Sequence, residues 1–246
     1  MKATQIIMGM PVTVVIVGGS AYSLKTIFDY FRDIDERFST YKTDSEISKI
    51  NNGELDPTNA SKDMQTVFVL SEKTRQESAG FFNITKKDGS IDPSGLVKGW
   101  AIHNAAKMVE SMGFEQYFLD VAGDIQSKGL DEEGREWSVG IRNPFKRDEI
   151  VKVLYPKGKG VATSGTYVRG QHIYNPHNPE QTLVDVVSLT VVGPNVYEAD
   201  RFATAAFAMG KDGIQFIEQL PGFEGYSIDS RGIATMTSNF TTLTTI

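Results

Sequence analysis

"DPSGLVKGWAIHNAAKMVESMG", Asp92 to Gly113, is the stretch on which the fold reading turns. Leu96, Trp100, Ala101, Met108 and Met112 can share one side of a helix, and Gly113 is suited to end it. Helical patterns precede it and strand patterns follow it. Upstream, Ser20 caps a helix with apolar residues at Leu24, Ile27, Phe28, Phe31 and Ile34, a 3.6-residue stripe. "FSTYKTDSEISKINNGE", from Phe38, reads as a loop with a short helical turn after Asp44. A further helix is expected from about Ser61 to Ala79 on Met64, Val67, Phe68 and Leu70. Downstream, "QYFLDVAGD", "WSVGIRNP", "EIVKVLYP" and "VDVVSLTVVGP" are rich in β-formers. "GVATSGTYVRGQHIYNPHNPEQ" is rich in turn formers, "EADRFATAAFAMGKDG" reads as a small-residue helix stopped by Gly210, and "FIEQLPG" finishes another helix before two short strands. Clustered helices beside neighbouring strands indicate an α+β fold rather than a regular βαβ alternation.

The N-terminal run, Ile6 to Val17, is short, β-branched and interrupted by Gly9 and Pro11, so it reads as a strand, not a signal peptide or membrane span. The chain has 246 residues, 40% of them hydrophobic, enough for one large domain over 1–246 or two interleaved subdomains. A net charge of -6 argues against a nucleic-acid binder, which normally presents a basic surface. There is no cysteine, which removes disulfides, thiolate nucleophiles and zinc–thiolate or iron–sulfur sites. Three histidines leave little room for a multi-histidine metal site, so metal chemistry here should use oxygen ligands and Mg²⁺ or Ca²⁺.

Four constellations could carry chemistry. Asp200 and Thr204 are four apart and share a helix face, where a carboxylate and a hydroxyl suit a hard cation. Spacing alone is more often that of a first-turn acid complementing the helix dipole and a packed threonine. Thr163, Ser164 and Gly165 offer hydroxyls and a flexible backbone, as in turns that hold phosphate oxygens, and His172 follows as a candidate base. A hairpin turn with a structural histidine explains them too. In the opening stretch, Gly95 and Gly99 let a ligand or another chain approach the backbone. Lys98, in the first helical turn, either meets a bound anion or is simply solvated. "VAGD", Val121 to Asp124, is a tight turn or a ligand edge. Neither G-x-x-x-x-G-K-[ST] nor G-x-G-x-x-G occurs, so phosphate-loop and Rossmann sites are unsupported.

The order of these motifs says more than any one of them. "MGM", "FSTYKTDSEISKIN", "DPSGLVKGWAI", "FLDVAGDI", "GVATSGTY", "HIYNP" and "EADRFATAAFAMG" follow one another as the motifs of the ApbE family do, and the chain resembles an ApbE-type flavin transferase over nearly its whole length. That resemblance implies an ApbE-like (T-fold-like) arrangement of mixed or antiparallel sheets packed with helices. It implies FAD as substrate, Mg²⁺ as cofactor, and transfer of FMN to a Thr or Ser hydroxyl of an acceptor protein with release of AMP. The alternatives are a Mg²⁺-dependent FAD pyrophosphatase and a flavin-binding protein without turnover. Carried over by motif, Asp200, Thr204 and the Gly95 carbonyl would hold the metal. Met8, Tyr41, Asp92, Lys98 and Ile173 would contact FAD, Thr163, Ser164 and Gly165 would form a pocket wall, and His172 would be the base. The chain departs from the pattern at Asn83 and Asn175, where the family carries aspartate, at Asn178-Pro179 in place of Thr-Gly, and in a shortened segment between Thr85 and Asp92. Exported members often carry a lipobox cysteine; its absence points to the cytoplasm.

Overall fold

The computed structural model describes residues 1–166, 173–180 and 182–244, with Arg147 described by its backbone only. The chain begins with a hairpin, β1 (Lys2–Ile7) and β2 (Met10–Ile16), where a single strand was expected. Met8 and Gly9 at its tip have φ of 55° and 67°, the left-handed pair that a tight two-residue hairpin turn requires. Then come α1 (Ala21–Phe38), α2 (Glu46–Asn51), α3 (Lys62–Glu77) and α4 (Ser94–Ser111). Ser20 caps α1 through a reciprocal box with Ser23, and Ser45 and Ser61 cap α2 and α3 through their hydroxyls. On α3 the buried face is Met64, Val67, Ser71 and Thr74, and Phe68 and Leu70 are only partly buried.

The strands that follow are β3 (Tyr117–Val121), β4 (Asp124–Lys128), β5 (Val139–Asn143), β6 (Lys146–Leu154), β7 (Gly160–Gly165) and β8 (Val186–Gly193). Helices α5 (Val196–Ala208) and α6 (Gly213–Glu218) precede the final pair, β9 (Glu224–Asp229) and β10 (Ala234–Met236). Thr163, Ser164 and Gly165 therefore lie in a strand, not a turn: each pairs with β8, Thr163 opposite Thr190. Among the described residues, eight strands form one antiparallel sheet in the order β1-β2-β3-β4-β7-β8-β9-β10, and β5–β6 is a separate hairpin.

The two faces of the sheet bury different partners, as period-2 alternation demands. Val12, Val14, Leu119 and Val121 face α1 and α4, while Leu189 and Val191 face α5. Ile125, Val161, Val192 and Ile228 point the other way, onto Val139, Ile141 and Leu154 of the β5–β6 hairpin and onto Phe240 and Leu243. No described helix is long and apolar enough to cross a membrane.

Candidate functional site

Helices α4 and α5 come together through missing side chains. A Cβ on Gly99 would lie 2.5 Å from the Asp200 Cβ and 2.7 Å from the Val196 carbonyl; one on Gly95 would lie 3.0 Å from Thr204 Cγ2. The two glycines do admit a close approach, and what approaches is a helix of the same chain. The contact brings the motif residues together: the Gly99 amide donates to Asp200 Oδ2 at 2.7 Å, and Thr204 Oγ1 donates to the Gly95 carbonyl at 3.1 Å. Asp200 and Lys98 each occupy the fifth position of their helix, just past the first turn in which the sequence places Lys98 and in which one of its two readings places Asp200.

Asp200 is 4% exposed. Burial, and next to it the Asp124 carboxylate, push its carboxyl well above the usual carboxylate range, against the pull of Lys98 and the Gly99 amide. Asp124, itself 1% exposed, opens β4 just after the turn Ala122-Gly123, whose φ values are 53° and 97°. It meets Lys98 Nζ at 2.7 Å and accepts the Thr163 amide at 3.1 Å. Thus "VAGD" forms a tight turn at the edge of a cavity: Ala122 and Gly123 line the cavity described next, and Asp124 pairs with Lys98.

This cluster opens on a cavity of about 440 Å³, within the usual range for small-molecule sites. Its lining includes Asp92, Gly95, Lys98, Thr163, Ser164, Gly165, Ile173, Asp200 and Thr204, nine residues expected from the sequence. It also includes residues to which the sequence assigns no site role: Phe81, Phe82 and Ile84 as an apolar wall, Lys86, Asp120, and Arg142 on the β5–β6 hairpin. Lys86 pairs with Asp92 at 2.8 Å. Burial raises the Asp92 carboxyl, but the Lys86 ammonium and the Ser94 amide outweigh it and hold the group below its ordinary value. Asp120 goes the other way, raised chiefly by burial, although Gly123 donates to it at 2.7 Å.

Two expected residues do not line the cavity. Met8 packs against the helical core, and Tyr41 is 97% exposed. Tyr41 does lie within electrostatic reach of Lys86, which lines the cavity. His172 lies outside the described residues; the next residue, Ile173, is part of the lining. Asn83 and Asn175, two of the departures from the family pattern that the resemblance implies, both make local turns: Asn83 Oδ1 accepts the Thr85 amide at 3.0 Å and Asn175 Oδ1 the His177 amide at 2.9 Å.

A hard divalent cation fits the donors at the α4–α5 contact. They are a carboxylate, a hydroxyl and a backbone carbonyl, all oxygen, beside a buried pair of acidic side chains whose mutual repulsion a cation relieves. Among the described residues no group of three or more acidic or histidine side chains is placed to hold a metal unaided, so backbone and hydroxyl oxygens are needed to complete the set.

Comparison with known proteins bears on the same elements. A model of the ApbE family matches residues 8–88 and 84–227. The chain is 28% identical over 178 residues to a FAD:protein FMN transferase of Klebsiella pneumoniae, covering 69% of this chain and 50% of that protein. It is 26% identical over 188 residues to the Escherichia coli K12 protein of the same name, covering 73% and 52%. It thus spans about half the length of the curated relatives it matches. In structure it is similar to the flavin transferase ApbE of Vibrio cholerae, with a TM-score of 0.85 at 21% identity over 99% of this chain and 98% of that one. The ApbE protein of Thermotoga maritima gives a TM-score of 0.85 at 20% identity over 100% and 99%. At those identities the structures speak for the fold, and the family match for descent: the chain belongs to the ApbE family.

Proposed function

We propose that this protein transfers FMN from FAD to a Thr or Ser hydroxyl of an acceptor protein, releasing AMP, with Mg²⁺ as cofactor. The observation that carries the reading is the convergence of Asp200, Thr204, Gly95 and Lys98, from two helices, on one wall of a cavity with aromatic and apolar residues on another. The names of the relatives support the coarser reaction, FMN transfer from FAD to a protein.

In the proposed reaction the acceptor hydroxyl oxygen bonds to the phosphorus of the FMN half. The bond from that phosphorus to the bridging oxygen breaks, AMP leaves with the electron pair, and the hydroxyl proton passes to a base. His172 is the proposed base, as an imidazole with an ordinary pKa of about 6.5 suits that task near neutrality. Asp200, Thr204 and the Gly95 carbonyl would hold Mg²⁺, which when bound neutralises phosphate charge and orients the phosphates. Lys98 keeps positive charge beside the two acidic groups, favouring the ionised form of Asp200 that a cation needs. Phe81, Phe82, Ile84 and Ile173 give flat apolar rings a dry surface.

Incubating the protein with FAD, Mg²⁺ and an acceptor domain bearing an accessible threonine tests the reading. Covalently fluorescent acceptor is the expected result. Free FMN and AMP without labelled acceptor would make the protein a pyrophosphatase, and intact bound FAD would make it a binding protein.

A further inference from the structure

Three basic side chains line the cavity among the described residues: Lys86, Lys98 and Arg142. Two are already matched, Lys86 by Asp92 at 2.8 Å and Lys98 by Asp124 at 2.7 Å. Arg142 forms no ion pair with any described residue; it acts on Asp120 only through longer-range electrostatics. The positive charge of the Lys98 head is therefore largely spoken for, and that of Arg142 is not.

The backbone directs Arg142 into the cavity. On a regular strand, successive side chains point to opposite faces. Here Gly140, Ile141 and Arg142 all line the cavity, although Ile141 is also buried in the core under the hairpin. Gly140 and Arg142, two apart on β5, share its exposed face, opposite the buried Val139 and Ile141. Ile141 sits opposite Lys152, Arg142 opposite Ile150 and Asn143 opposite Lys146, so the register shifts on both sides of the arginine. The skipped residues, Val151 and those numbered 147–149, lie on β6, so the irregularity bends that strand and leaves β5 alternating regularly with Arg142 on the cavity side. Gly140 lets the Ile150 side chain lie close over β5, since a Cβ there would come within 2.8 Å of Ile150 Cδ1.

We propose that Arg142 is the residue that grips the anion of the bound dinucleotide, its planar guanidinium taking phosphate oxygens of the diphosphate through paired N–H donors. Lys98 then serves the acidic pair Asp124 and Asp200, and the two cations divide the work. A guanidinium suits this role better than an ammonium, because its fixed fork matches two oxygens of one phosphate. The proposal rests on the flavin-nucleotide reading of the cavity and adds to it a residue that the family motifs do not contain.

Titration calorimetry with saturating Mg²⁺ tests it, using FAD, ADP and riboflavin as probes against wild type, Arg142→Gln and Arg142→Lys. Arg142 is exposed, so neither substitution should change the unfolding temperature. Arg142→Gln should weaken FAD and ADP by about tenfold or more and leave riboflavin, which has no phosphate, unchanged. Arg142→Lys should recover part of the loss. Unaltered FAD and ADP affinity in Arg142→Gln, or an equal loss for riboflavin, would overturn the assignment, as would a wild type that binds neither FAD nor ADP. A wild type that binds both and transfers nothing would instead overturn the transferase reading and leave the Arg142 comparison standing.

Discussion

The Gly99 amide donates to the Asp200 carboxylate at 2.7 Å, a bond between residues 101 positions apart that ties the front of α4 to α5. It exists because neither Gly99 nor Gly95 carries a Cβ. Gly99→Ala would place a methyl group 2.5 Å from the Asp200 Cβ and against a carbonyl that cannot move alone. We expect it to cost about 1–3 kcal/mol of stability by overpacking and to weaken Mg²⁺ binding sharply. Gly95→Ala, whose nearest contact is a threonine methyl at 3.0 Å, should be milder on both counts. Chemical denaturation and Mg²⁺ titration of the two variants check the ranking.

Arg201, next in sequence to Asp200, should matter for stability rather than chemistry. It is 3% exposed, pairs with Glu77 on α3 and with Glu198 at 2.5 Å, and its guanidinium lies 3.9 Å from the Phe202 ring centroid. Arg201→Ala should cost about 2–3 kcal/mol, less than a wholly buried pair because both glutamates reach solvent. Equilibrium unfolding measures this, and Mg²⁺ affinity per folded molecule should change little.

The raised Asp200 carboxyl has a signed consequence for pH. In the unfolded chain the group titrates near its ordinary value of 3.8, while burial and Asp124 keep it protonated to higher pH in the metal-free fold. As pH rises between those two values the unfolded state ionises first, so the folded state loses stability across that window. Metal-free Asp200→Asn should therefore be more stable than wild type near neutral pH, with a flatter pH profile. With Mg²⁺ at a hundred times its dissociation constant, wild type should gain about 2.7 kcal/mol and Asp200→Asn nearly nothing. Thermal unfolding in EDTA and in Mg²⁺ reads both effects.

For His172, the expected signature of a base is a rate effect without a binding effect. His172→Ala should bind FAD as wild type does and transfer FMN about 100-fold or more slowly in a single-turnover assay. Equal single-turnover rates would remove the role.

Much of this site could be read from the sequence because its key residues carry local signals. Ser20 before an amphipathic stripe marks α1, and Asp200 and Thr204 fall on one face of a helix whose small residues announce close packing. What could not be read depends on tertiary partners. Gly95 and Gly99 suggested an approaching chain, but nothing local to them says that the chain is α5. Thr163 to Gly165 looked like a turn because small and hydroxyl residues favour turns; pairing with β8 and the Asp124 carboxylate hold them in a strand. By its local sequence Asp124 belongs to a turn, and its partnership with Lys98 depends on how β4 meets α4. Arg142 carries no local signal, since its place at the cavity depends on how the β5–β6 hairpin packs against the large sheet.

The most direct test of the central claim is the stoichiometry of a single reaction. Wild-type protein, FAD, Mg²⁺ and a threonine-bearing acceptor domain are combined, AMP is quantified by chromatography, and the acceptor is weighed by intact-mass spectrometry. The account predicts one AMP for each acceptor carrying FMN, no product in EDTA, and none with Asp200→Ala at full FAD concentration. AMP without flavinylated acceptor, or full activity in Asp200→Ala, would contradict it.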